Sequence, residues 1–325
     1  MSYNIFVIFT QYQFQCVKNI INNGNTVQSI IITTIPINSA EFKGEVYFFE
    51  KINSLQSLIN EVYCRKRKKV FLQIKDTSKK YKTINIFIPH YFNINSNYIS
   101  TSLFHDANIN ILPDGILSFY PYKLTNKNII KQFLNKVIAL SIGLNYKLFF
   151  SNIVDPFNKV KKIYSYNPDI TYTYGKEVNQ IPYTKKNIPV DQHSNNMIIL
   201  GTSSKLNNES EIIEKIISFI KKSKISNIYY KMHPSQTEDP IYAGLSNNII
   251  NLELLTEQTG AENLIEKYSL NIILSVEFST ALLEIQRQYN NQLYCYINKT
   301  TIFNHSRYKT YFEKLLKYYQ VEELT

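Results

Sequence analysis

The sequence predicts an α/β protein of two lobes, each built on a parallel sheet. Short apolar runs alternate with amphipathic stretches from the first residues. A polar stretch with prolines past the middle interrupts that alternation, and it then starts again. The 325 residues suit two domains of ordinary size, and 44% hydrophobic against 19% charged residues allows each its own core.

Asn4 to Phe9 is an apolar run ending at Thr10-Gln11 and reads as a buried strand. Phe14, Val17, Ile20 and Ile21 follow at the spacing of one helix face, which stops at Asn22-Asn23-Gly24. The β-branched stretch Thr26 to Thr34 completes a strand–helix–strand unit, the mark of a parallel sheet. Val46 to Phe49, Ile84 to Ile88 and Asn110 to Leu112 are further strands, the last running into Pro113-Asp114-Gly115. Thr125 or Asn126 caps a helix carrying Ile129, Ile130, Phe133, Val137, Ile138 and Leu140. Residues 172–196, with Gly175, Pro182, Pro189 and several Asn and Lys, read as the linker between lobes 1–180 and 190–325.

In the second lobe, Met197 to Leu200 is a strand ending at Gly201-Thr202-Ser203-Ser204. Asn207 or Asn208 caps a helix with Ile212, Ile213, Ile216, Ile217 and Ile220 on one face. Asn227 to Lys231 is a strand ending at Met232-His233-Pro234, and Asn271 to Leu274 one that leads through Ser275 to Ser279-Thr280 and a helix. Tyr311, Phe312, Leu315 and Leu316 sit at helical spacing near the end, in a helix expected either to pack as ordinary core or to return to the first lobe.

The net charge of +11 favours anionic partners: a nucleotide, an acidic glycan, or the inner face of an anionic membrane touched peripherally. The densest runs are Arg65 to Lys69 and Lys79-Lys80 with Lys82, read as solvated faces or polyanion contacts. Basic residues are spread along the chain and no nucleic-acid motif accompanies them, so nucleic acid is not expected as a partner. Three scattered cysteines without a CxxC pair, no basic leader and no apolar run of membrane-spanning length suit a cytoplasmic protein. The sequence contains neither a phosphate-binding Gly-x4-Gly-Lys loop nor Gly-x-Gly-x-x-Gly.

Ligands of parallel α/β sheets collect at the carboxyl ends of strands. Three polar clusters are expected there: Asp114-Gly115, His233-Pro234 and Ser279-Thr280. In kind and order they resemble the acidic-acidic-Gly, His-Pro and Ser-Ser/Thr motifs of bacterial sialyltransferases and polysialyltransferases. Phe9-Thr10-Gln11-Tyr12-Gln13 resembles the first strand-to-helix loop of those enzymes. Pro113 departs from the pattern by replacing the first acid.

The resemblance implies a GT-B glycosyltransferase, two Rossmann-like lobes with parallel sheets facing a central cleft. It implies inverting, metal-independent transfer of sialic acid from CMP-sialic acid to a glycan hydroxyl, in capsule or lipooligosaccharide synthesis, with no cofactor. Asp114 would be the general base, although Pro-Asp-Gly is also a favoured turn. His233 would stabilise the departing phosphate with help from Lys231, or would simply close a strand. Ser279 and Thr280, with Ser275 behind them, would bind that phosphate at a helix N-terminus, or serve only as its cap. Gly201, Thr202 and Ser203 form a small-residue loop suited to close approach by the donor, and Glu253 would bind ribose or cytosine. Thr10, Gln11 and Gly115 fall on the acceptor side. The competing readings are a GT-B enzyme using another nucleotide sugar and a non-catalytic glycan- or polyanion-binding protein.

Overall fold

The computed structural model describes residues 2–22, 27–119, 124–150, 158–186, 195–202, 206, 208–233, 236–257, 260–289, 293–298 and 309–324. The chain divides into two compact units, Met1–Pro182 and Tyr183–Thr325.

The first unit holds seven parallel strands: β1 Ser2–Ile8, β2 Gln28–Thr33, β3 Glu45–Phe48, β4 Thr83–Ile88, β5 Asn108–Ile111, β6 Val160–Ser165 and β7 Glu177–Gln180. Their order is β3-β2-β1-β4-β5-β6-β7, so the winding reverses between β1 and β4. That is the Rossmann-type order, in which ligands gather beyond the strand ends at the reversal. Ile30, Ile31 and Ile32 are all fully buried, as are Phe6, Val7 and Ile8. Consecutive rather than alternate burial means that both faces of the sheet are covered, which is why these strands read as continuous apolar runs.

The second unit repeats the plan with six parallel strands: β8 Asn196–Leu200, β9 Asn227–Lys231, β10 Leu252–Leu254, β11 Ile272–Ser275, β12 Tyr294–Ile297 and β13 Val321–Glu323. Their order, β10-β9-β8-β11-β12-β13, reverses between β8 and β11. Its core joins Met197 and Ile199 to Ile212 and Ile216 of the helix Glu209–Ser223. The late helix Lys309–Tyr318 belongs to this unit, where Phe312 meets Phe278 at 4.9 Å between ring centroids, and β13 follows it to close the sheet edge.

Most predicted elements stand within a residue or two of their expected bounds. Asn208 lies at the cap position of its helix but makes no capping hydrogen bond with its side chain. The predicted linker is the main correction. β7 lies within it, paired in register with β6, and β6 itself escaped the reading. β7, Glu-Val-Asn-Gln, is short and polar because it is an edge strand with no buried side chain, and β6, Val-Lys-Lys-Ile-Tyr-Ser, buries Val160, Ile163 and Ser165 but interrupts them with two lysines. The run Arg65 to Lys69 is also not uniformly solvated. Arg67 turns inward from the helix Lys66–Ser78, paired with Glu61 at 3.2 Å and donating to Asn95 Oδ1 at 3.0 Å. Asn23, Gly24, Asn207, Ser203 and Pro234 lie outside the described residues.

Candidate active site

In the first unit, the ends of β1, β4 and β5 open onto a cavity of about 560 Å³. Phe9, Tyr91, Phe92, Tyr164, Tyr172 and Tyr174 give it aromatic walls, while Lys51 and Lys131 give it positive charge; Arg67 also lines it, paired with Glu61. Its volume is in the range of small-molecule sites.

Asp114 lines this cavity two residues beyond the buried Leu112. Its backbone N–H donates to Ser118 Oγ at 2.9 Å, and Gly115 follows with φ +58°, a conformation that favours glycine. The turn reading and the functional reading are therefore compatible, since the turn is what aims the carboxylate. Its Oδ1 accepts from Gln13 Nε2 at 3.1 Å, and Gln13 Oε1 in turn accepts from the Phe9 N–H at 2.7 Å. The amide is thus fixed by backbone with its NH₂ towards the acid.

Thr10 and Gln11, the residues expected here, do other work. Thr10 Oγ1 accepts from Gln13 N at 3.2 Å and so caps the helix Gln11–Asn22. Gln11 is turned away onto the Pro36 carbonyl at 2.8 Å. Gln13, one turn into the helix, is the member of this loop that touches Asp114.

His90 is a further member. It stands two residues past β4, the neighbour of β5, and its Nε2 lies 4.0 Å from Asp114 Oδ2. That is too long for a direct hydrogen bond but close enough for electrostatic coupling. Its Nδ1 accepts from Phe92 N at 3.1 Å, so the neutral ring carries its proton on Nε2, facing the carboxylate. Burial pushes His90 below the ordinary imidazole range; Asp114 pulls it up again and Lys131 pushes it down. In the sequence, His90 follows Pro89 at a strand end and reads as structural, because local sequence does not say which strand stands beside it.

In the second unit, the loops after β8, β9 and β11 meet. Thr202 donates its hydroxyl to the Glu277 carboxylate, and Ser275 donates to the Glu277 carbonyl. Burial lowers the His233 pKa while Glu277 raises it. Glu277, which lies between Ser275 and Ser279 and is assigned no role in the sequence, is the residue to which Thr202 and His233 are both coupled. Ser275 is fully buried and shapes the turn from inside. Ser279 caps the helix Thr280–Gln288, its Oγ accepting from Ala281 N at 3.1 Å. Thr280 is the first residue of that helix.

Gly201 has a steric reason. A Cβ there would stand 2.7 Å from Asp239 Oδ2 and 3.0 Å from the Tyr230 hydroxyl. Those two form a buried hydrogen bond of 2.6 Å, and Asp239 also caps the helix Pro240–Ser246.

Two predicted donor residues stand elsewhere. Lys231 Nζ donates to the Glu257 carbonyl at 2.7 Å, which ties it to the loop after β10. Glu253 is the middle residue of β10 with an exposed side chain, short of the strand's carboxyl end. The acid beyond that end is Glu257, held by Lys267 at 2.7 Å and the Tyr268 hydroxyl at 2.6 Å.

The sequence pattern of the Alpha-2,8-polysialyltransferase (POLYST) family matches residues 4–296. The chain belongs to that family. It is therefore a glycosyltransferase of the sialyltransferase group. No curated protein sequence matches it. Among solved structures, the GT-B domain of the Photobacterium damselae sialyltransferase superposes with a TM-score of 0.52 at 11% identity, over 99% of this chain and 100% of that one. A UDP co-structure of S. aureus MnaA gives 0.51 at 9% identity, over 92% and 80%. At such identities the likeness is one of fold, and that fold is GT-B, with two Rossmann-like lobes.

Proposed function

We infer that the protein transfers sialic acid from CMP-sialic acid to a hydroxyl of a glycan acceptor, with inversion and without a metal ion. The observation that carries this reading is Asp114: a carboxylate in an aromatic, positively edged cavity of glycan size, aimed by a glycine turn and a backbone-anchored glutamine. Aromatic faces suit the apolar faces of sugar rings, and Lys51 and Lys131 suit an acidic glycan.

In this reading Asp114 accepts the acceptor's hydroxyl proton as its oxygen bonds to the anomeric carbon. The bond from that carbon to the CMP phosphate oxygen breaks, and its electron pair leaves with the phosphate. His233 donates a hydrogen bond to the phosphate as charge grows there. Phosphate bound near His233 would raise its depressed pKa, favouring a protonated ring when it is needed. The N-terminus of Thr280–Gln288, capped by Ser279, adds backbone N–H groups and a favourable dipole.

The test is release of CMP from CMP-sialic acid by purified protein with EDTA present and a sialylated glycan as acceptor. Asp114→Ala and His233→Ala run alongside. Release by the native protein, with loss in both variants, supports the reading. Absence of release with every glycan offered, together with no CMP binding, refutes it and passes the site to another nucleotide sugar.

A further inference from the structure

The helix Asn126–Ser141 is inverted. Its inner side is polar: Gln132 is buried and exchanges hydrogen bonds with the Phe149 backbone, Asn135 donates to the Phe92 carbonyl at 3.0 Å, and both line the cavity with Asn128. Its outer side is apolar. Ile130, Phe133, Leu134, Val137 and Leu140 are between 47% and 67% exposed, and on the 3.6-residue repeat they share about a third of the circumference. Phe150, also exposed, extends the stripe, its ring 6.0 Å from that of Phe133. Soluble proteins seldom leave such a stripe to water.

The surrounding charge says what covers it. Lys127 and Lys131 flank the stripe on one side of the helical wheel and Lys136 on the other. From Gly115 to Val154 the chain contains five lysines and no acid. Lys68 of the basic run 65–69 lies against Gly143, just past the helix end, where a Cβ would be 3.3 Å from its Cδ. A second copy of this chain, laid face to face, would set lysine against lysine. A surface with apolar depth and anionic headgroups satisfies both the stripe and its rim.

We propose that the outer face of Asn126–Ser141, with its lysine rim and Phe150, is a docking surface for an anionic lipid bilayer. The helix lies in the headgroup region with Ile130, Phe133, Leu134 and Val137 inserted. Lys127 and Lys136 extend from its flanks to the phosphates. This surface is independent of the donor and acceptor chemistry inferred above.

Flotation of the full chain with vesicles tests it. The native protein floats with phosphatidylcholine vesicles containing phosphatidylglycerol, and increasing salt weakens the binding. Leu134→Gln with Val137→Gln abolishes flotation and leaves the melting temperature unchanged, because both side chains already face water. Lys127→Glu with Lys136→Glu lowers the bound fraction roughly tenfold or more, as does omission of phosphatidylglycerol. The proposal is overturned if the native protein stays unbound at low salt, or if the Leu134/Val137 variant floats as well as the native chain. It is also overturned if that variant instead converts a dimer to a monomer, which would give the face to a second copy. A fall in its melting temperature would give the face to the protein's own core.

Discussion

At the end of the first sheet, Asp114 stands among aromatic rings, and the groups beside it, Gln13 and His90, are each fixed by a main-chain N–H. At the end of the second sheet the residues are small or short, Gly201, Thr202, Ser275 and Ser279, and two of them, Thr202 and Ser275, donate to Glu277. Both places stand where the same strand order reverses. Topology therefore supplies the location twice, and side-chain size decides its use. Large rings shape a cavity around Asp114, whereas small residues pack tightly about Glu277 and the start of the helix Thr280–Gln288.

Substitutions at the two ends should separate these roles. The largest effect belongs to Asp114→Asn, which should lower kcat by roughly 10²–10⁴-fold while CMP binding and thermal melting hold. Nearly full activity would reduce Asp114 to a turn residue. His233→Ala should lower kcat by about 10²–10³-fold, and a change confined to KM would make the second sheet a binding site only. Glu277→Gln weakens a charged hydrogen bond with Thr202, and roughly tenfold lower affinity for CMP, measured by calorimetry, is expected. Unchanged affinity would detach Glu277 from the donor site. Gly201→Ala forces a contact with Asp239 and Tyr230; a loss of about 1–3 kcal/mol in denaturant unfolding is expected.

The smallest effect is one of pH. His90 and His233 are both held below their ordinary value of 6.5 in the fold, so below about pH 6.5 the unfolded chain binds more protons. Stability should therefore fall as pH drops through that point. A His90→Gln/His233→Gln chain should lose less of it in melting curves across the same range.

Those residues also mark how far the sequence could be read. Apolar runs such as Ile30-Ile31-Ile32 and Met197-Ile198-Ile199 announce strands buried on both faces, and the motifs at Asp114, His233 and Ser279 declare themselves as strand ends. Gln13, His90 and Glu277 could not be read in the same way. Their meaning depends on β4 lying beside β5 and β8 beside β11, and local sequence does not encode which strands adjoin. Periodicity likewise found the apolar face of Asn126–Ser141 but not the direction it faces, because its polar side bonds to the backbone of Phe149 and Phe92 rather than to water. β7 was hidden by its composition, since an edge strand with exposed side chains resembles a linker.

The bond from the Phe92 N–H to His90 Nδ1 has a consequence for the shape of the cavity. A doubly protonated imidazole would set N–H against N–H at that point, so charging the ring breaks the bond that ties it to the corner from Pro89 to Phe92. The same carbonyl of Phe92 receives Asn135 and the Tyr146 hydroxyl, each at 3.0 Å. Acid would therefore do more than switch a charge beside Asp114. It would loosen a joint at which one wall of the cavity is pinned, making the pocket's contour as sensitive to a single proton as its chemistry.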